Sequence, residues 1–84
     1  GGIVGNTNRI LPSGLKLKID WSNWEVPAIF KLIQDVGDIS VEEMREVFNM
    51  GIGLIFIISK TNVEIALKLA KELNEQPIVI GEVE

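Results

Sequence analysis

The polar and apolar positions mark six regular segments after an irregular start. Residues 1–14, GGIVGNTNRILPSG, are rich in Gly and Asn, carry Arg9 beside Ile10 and Leu11, and read as a loop with one helical turn. Leu15-Lys16-Leu17-Lys18-Ile19 then alternates strictly, the period of a strand with one face buried and one wet. Its lysines also discourage pairing if it lies at a sheet border. After the polar link DWSNWE, Pro27 suits the first position of a helix, and Ile29, Phe30, Ile33 and Val36 recur at helical spacing up to Gly37. Ser40 and Glu43 have the spacing of a capping box, with Ile39 and Met44 placed as a hydrophobic staple, so a second helix runs to about Phe48.

The stretch FNMGIGLIFII, residues 48–58, sets an amide and two glycines before an almost unbroken apolar run. A run apolar on both faces predicts a central strand from Ile52 to about Ser59, covered on both sides. Gly51 and Gly53 at its start have two explanations. Close packing or positive φ is the commoner one; backbone N–H groups bared for a ligand, together with Asn49, are the other. Thr61 and Glu64 repeat the capping-box spacing and open a third helix, with Val63, Ala66, Leu67, Ala70 and Leu73 inward, Asn74 as its stop and Pro77 as a breaker. Ile78 to Val83 closes the chain as a strand. The last β-α-β would be a parallel, right-handed unit if its strands are neighbours. The expected fold class is α+β, layered α/β/α and partly ferredoxin-like, with about three strands in a mixed sheet and three helices.

Composition narrows the possible chemistry. At 84 residues the chain makes one small domain at most, yet 46% of it is hydrophobic and its mean hydropathy is +0.28, which fits surface meant for a partner and a richly packed small core equally well. The net charge is −4 and no stretch gathers Lys or Arg with aromatics, so nucleic acid is not an expected partner. There is no Cys and no His, which removes disulfides, Cys/His zinc sites and Cys or His nucleophiles and bases. The longest apolar run, Ile52 to Ile58, is far short of the roughly 20 residues of a membrane span, and no signal-like segment opens the chain. No membrane is expected, and a cytoplasmic protein is the default. The start on Gly1-Gly2 without Met suggests a processed product or a fragment.

Gly51-Ile52-Gly53 is not a dinucleotide fingerprint, because these glycines leave a helix to open a strand rather than the reverse. No phosphate loop of the G-x-x-x-x-G-K-[ST] kind is present, and the acidic residues fall on solvated helix positions and caps. GGIVGNTNRILP alone resists a bland reading. Permissive backbone, two Asn amides and one Arg suit a bound phosphate, although a surface loop with a structural Arg fits the same residues.

At these residues the chain resembles a known family. GGIVGNTNRILPSGL is similar to the segment of the aminoimidazole ribonucleotide synthetases (phosphoribosylformylglycinamidine cyclo-ligases) that reads Gly-Gly-Gly, then Asn, then Arg-Val/Ile-Leu-Pro. WEVPAIFKLIQ from Trp24 resembles their Trp-Pro-Val-Pro-x-Ile-Phe helix start, SVEEMREVFNMGIGL from Ser40 their Phe-Asn-x-Gly-Ile-Gly segment, and VIGEV from Val79 their terminal strand. The likeness runs through all 84 residues, and the FNMGIG segment argues against the selenophosphate, thiamine-phosphate and formylglycinamidine enzymes of the same superfamily.

The resemblance implies that residues 1–84 are the C-terminal portion of the substrate-side, C-terminal domain, with the N-terminal ATP-binding domain absent. It implies a purine-biosynthesis ligase, a homodimer, that closes the imidazole ring of formylglycinamidine ribonucleotide. ATP and Mg would be handled mainly by the missing domain, and the formyl oxygen is phosphorylated before a nitrogen attacks. Carried over by position, Gly1, Gly2, Asn6 and Arg9 would line the cleft between the domains, with Asn49 and Gly51 at its floor. Gly5 and Asn8 depart from the family, which often has an acidic residue and a Pro there, so the path of this loop is open. The runner-up is a free-standing ligand-binding or regulatory module of ferredoxin-like character.

Overall fold

The computed structural model describes residues 1–84. The N-terminal segment is a helix, α1 (Ile3–Ile10), rather than a loop. Its Gly and Asn content argues for irregular backbone, but Ile3 and Thr7, four residues apart, share one buried face, and tertiary packing overrides weak propensity. The Leu11 N–H closes the last turn on the Asn8 carbonyl, and Pro12 prevents continuation. The Asn8 side chain accepts the Leu17 N–H at 3.0 Å, tying α1 to β1 (Leu17–Ile19).

β1 pairs antiparallel with β2 (Gly81–Val83) in the register Leu17↔Val83, Lys18↔Glu82 and Ile19↔Gly81. The reciprocal Lys16–Glu84 hydrogen bonds, each 2.9 Å, extend the ribbon. The alternation read from the sequence holds here: Leu17 and Ile19 are half-buried while Lys16 and Lys18 are exposed. Position 81 must be glycine, because a Cβ would overlap the Lys18 carbonyl oxygen.

Helix α2 (Ala28–Gly37) starts one residue after Pro27 and stops at Asp38, which takes the left-handed conformation at φ 51° while the Ile39 N–H returns to the Gln34 carbonyl. Phe30 and Ile33 face inward as the spacing predicts; Ile29 and Val36 stay exposed. In α3 (Val41–Val47), Ser40 Oγ accepts the Glu43 N–H at 3.1 Å, the anticipated cap. Glu42 and Glu43 lie in its first turn and Arg45 in its last, each at the end the helix dipole favours. Phe48, just past α3, meets the Phe30 ring edge-to-face at 6.1 Å. Met44 is completely enclosed.

The expected cap at Thr61 is not used. Ser59, Thr61 and Asn62 bond to one another in a single 3-10 turn (Lys60–Asn62), and α4 (Val63–Glu72) begins beyond it. Val63, Ala66, Leu67 and Ala70 are half-buried as predicted, whereas Leu73 is exposed. Asn74, at φ 63°, ends the helix, with the Asn74 N–H on the Lys71 carbonyl and the Glu75 N–H on that of Ala70.

The central correction concerns Ile52 to Ser59, which forms no strand. Between Gly53 and Ile58 no backbone group makes an intramolecular hydrogen bond, and Leu54 and Phe56 are 76% and 79% exposed. A strand exists only through its neighbours, and β1 and β2 pair with each other alone. The parallel β-α-β unit, the three-stranded mixed sheet, the α/β/α layering and the count of three helices therefore give way to four helices and one antiparallel ribbon, still a small α+β arrangement.

Only five of the 84 residues are buried. The accessible surface is 6577 Å², about a third more than a folded monomer of this mass presents. The radius of gyration is 14.2 Å, in a slab of 41 × 35 × 17 Å, against about 12 Å for a compact domain of this length. We expect the isolated 84-residue chain to self-associate and to bind a hydrophobic dye. Sedimentation velocity over a concentration series checks this, and a compact, dye-free monomer would contradict it.

Candidate ligand cleft

A cleft of about 370 Å³ opens between the start of α1 and the segment that follows α3. Its first wall depends on a backbone junction. The Gly2 N–H donates to the Glu46 carbonyl at 2.8 Å. A Cβ at position 2 would overlap the Arg45 carbonyl oxygen and lie 2.8 Å from that of Glu46, so only glycine lets the two chains meet this closely. Asn6 folds its amide back over Gly1, with Nδ2 2.7 Å from where a Cβ of residue 1 would stand.

The second wall begins with a tight turn. The Ile52 N–H returns to the Asn49 carbonyl at 3.0 Å, and Met50 and Gly51 both take positive φ, 53° and 98°, as in a type I′ turn. Asn49 Oδ1 accepts the Gly51 N–H at 2.9 Å, which holds the side chain on its own turn. Trp24 Nε1 donates to the Met50 carbonyl at 3.1 Å, and Pro27 packs on Gly51, where a Cβ would stand 2.5 Å from the Pro27 Cδ. Behind the turn, the Trp21 and Trp24 rings pack 5.5 Å apart, tilted by 39°, and the Arg45 guanidinium lies 4.3 Å from the centre of a Trp21 ring. The indole pair thus links α3 to both the turn and the ribbon.

Of the six residues singled out in the sequence, Gly1, Gly2, Asn6 and Asn49 line this cleft. Arg9 and Gly51 do not. Arg9 is exposed in the last turn of α1, and Gly51 faces Pro27. Thr7, Gly53 and the apolar side chains of Ile3, Ile10, Ile52 and Leu54 also line it. Thr7 escapes notice in the sequence because its place beside Ile3 emerges only once residues 3–10 are read as a helix. The lining contains no Asp, Glu, Lys or Arg side chain; its one electrostatic feature is the start of α1 at Gly2 and Ile3, the positive end of that helix dipole.

A second depression, about 430 Å³, lies along the ribbon among Lys18, Asp20, Trp21, Asn23 and Glu82. Asp20 accepts the Ser22 hydroxyl and the Ser22 N–H, and these bonds hold its carboxyl below the usual carboxylate value. Asn23 Nδ2 donates to the Val79 carbonyl at 2.8 Å, so the polar groups here close the loop onto the segment that leads into β2. No group of three or more acidic, His or Cys side chains is arranged to hold a metal ion, and no helix is long and apolar enough to cross a membrane.

The chain matches the family described as AIR synthase related protein, C-terminal domain, over residues 1–84, and belongs to it. Among individual proteins it is 48% identical over 83 residues to the phosphoribosylformylglycinamidine cyclo-ligase of Caldanaerobacter subterraneus. It is 46% identical over 83 residues to the proteins of that name from Pseudothermotoga lettingae and Geotalea daltonii. Each match takes in 99% of this chain but only 24–25% of the relative, so the chain spans about a quarter of the length of the curated relatives it matches.

The two kinds of glycine separate by substitution. Gly51→Ala combines a left-handed backbone with a clash on the Pro27 ring and should lower stability by about 1–3 kcal/mol. Gly5→Ala, in the middle of α1 with open space at its Cβ, should raise it by up to about 1 kcal/mol. Thermal unfolding of the full-length variants reads both signs.

Proposed function

We propose that this chain is the substrate-facing part of an ATP-dependent cyclo-ligase of purine biosynthesis. The complete protein would convert formylglycinamidine ribonucleotide to aminoimidazole ribonucleotide, ADP and phosphate. The observation that carries the proposal is the convergence of Gly1, Gly2, Asn6 and Asn49 on one cleft, in a chain 46–48% identical to proteins named for that reaction. In this reading residues 1–84 are the C-terminal portion of the substrate-side domain, and the remainder of the same chain supplies the ATP-binding domain. A homodimer working in the cytoplasm completes the proposal.

The residues present fit a substrate better than a nucleotide. No phosphate loop and no carboxylate cluster is available for ATP and magnesium, so their handling is assigned to the rest of the protein. What this chain can do is bind and orient. Asn49 has committed its Oδ1 to the turn and keeps Nδ2 free to donate, and Asn6 presents a second amide from the other wall. Arg9, outside the cleft and without an acidic partner, suits the ribotide phosphate beyond the edge of the pocket. The broad exposed apolar surface speaks against a self-contained regulatory module.

Two measurements test the proposal. The isolated 84 residues should form no aminoimidazole ribonucleotide from ATP and the amidine substrate; product formation by this segment alone would refute the division of labour. In the full-length protein Arg9→Ala should raise KM for the ribotide about 10- to 150-fold, the worth of one charge-assisted hydrogen bond, and leave KM for ATP nearly unchanged. Equal shifts in both would give Arg9 a different role.

A further inference from the structure

Met50 stands in a conformation that its sequence does not favour. In an Asn-Met-Gly turn only the glycine needs positive φ: a type II turn sets its second residue at about −60° and a glycine in third place at about +80°, which suits these residues without strain. Here Met50 takes φ 53° as well as Gly51 at 98°. A side chain in the left-handed region persists where its surroundings hold it there.

The hold comes from Trp24. Its Nε1–H, donating to the Met50 carbonyl at 3.1 Å, is the one hydrogen bond that reaches residues 49–52 from elsewhere in the chain. The indole is itself steadied by Trp21, over which the Arg45 guanidinium of α3 lies. Pro27 packs against Gly51, and the Met50 side chain is buried. Residues 21–27 thus brace a strained turn.

Asn49 depends on this brace. The φ and ψ of Met50 lie between the Asn49 side chain and the Gly51 N–H that its Oδ1 accepts at 2.9 Å, so a turn that relaxes to type II loses the geometry of that bond. The bond fixes which way the Asn49 amide faces, and Asn49 lines the cleft with its Nδ2 still free to donate. Trp24 does not line the cleft. It reaches a ligand there only through the turn.

We propose that Trp24 is a positioning residue: its indole N–H keeps Met50 left-handed, and that conformation aims the Asn49 amide at the ligand. This rests on the substrate-cleft reading above and adds a residue outside the cleft that acts through Asn49.

The test uses the full-length protein, the ribotide substrate and ATP. Trp24→Phe, which keeps an aromatic ring and removes the N–H, should raise KM for the ribotide about 3- to 10-fold and leave KM for ATP within about twofold of wild type. Asn49→Ala should raise KM for the ribotide at least as much. Adding Trp24→Phe to Asn49→Ala should then change it by less than about twofold, because the indole has nothing left to position. A purely structural role would instead lower the melting temperature and multiply the two effects. Multiplying effects, an unchanged ribotide KM in either single variant, or equal shifts for ribotide and ATP, all in a protein whose wild type is active, would overturn the positioning role alone. Wild-type protein without ring-closing activity would refute the function proposed above and this role with it. If Trp24→Phe does not fold, a benzothiophene isostere at position 24, with sulfur in place of the Nε1–H, makes the same comparison with the shape kept.

Discussion

The contact between Gly2 and the carboxyl end of α3 is the joint on which the site depends. A hydrogen bond of 2.8 Å joins the Gly2 N–H to the Glu46 carbonyl, and it forms only because residue 2 has no side chain to hold the two backbones apart. The joint aims the first turn of α1 at the turn that follows α3, which places Asn6 and Thr7 opposite Asn49 and Gly53. Met44, fully enclosed in α3, and Ile3, in the first turn of α1, are two of the three buried apolar side chains of the molecule. The little core that exists therefore serves this junction. Met50, the third, sits in the next turn, where its carbonyl accepts the Trp24 indole N–H.

The rest of the apolar inventory is unspent. Ile29, Leu32 and Val36 on α2, and Ile65 and Leu69 on α4 with Leu73 just past its end, form exposed stripes at helical spacing, and Leu54, Phe56, Ile57 and Ile58 add exposed side chains on unpaired backbone. Burying a large aliphatic or aromatic side chain is worth about 1.5–3 kcal/mol. Leaving this many in water conflicts with an independent small domain, in which net stability is itself only about 5–15 kcal/mol. The relatives, about four times as long, carry ample chain to cover such a surface.

What the sequence makes legible is whatever is decided locally. The Ser40 cap, the stop at Asn74, the half-buried face of α4 and the alternation of β1 each depend on a few adjacent residues, and each appears where the pattern places it. The misreadings are of another kind. Residues 3–10 look like a loop because Gly5, Asn6 and Asn8 are poor helix formers, and only α3 makes a helix of them. Ile52 to Ile58 looks like a central strand because its side chains suit one, but hydrogen-bonded neighbours are not a property of the segment itself. The candidate site divides the same way: the amides and glycines of both motifs are visible in the sequence, whereas the absence of charged side chains from the cleft and the exclusion of Arg9 follow from the direction of α1.

The two unfinished features, the cleft and the unpaired segment, share a wall. Asn49 to Ile52 is anchored by its own turn, by Trp24 and by Pro27, but from Gly53 onward nothing in the chain holds the backbone. Whatever pairs with Gly53 to Ile58 would at the same time fix the position of the N–H groups beside the cleft. Ordering that segment carries an entropic cost of about 1–2 kcal/mol per residue, and once a docked neighbour has met that cost, a ligand need not. If the proposed division of the protein holds, docking of the rest of the chain and occupancy of the cleft would favour each other through this stretch of backbone. On that proposal the exposed apolar run would serve function as well as folding, since the neighbour that covers it would also support one wall of the cleft.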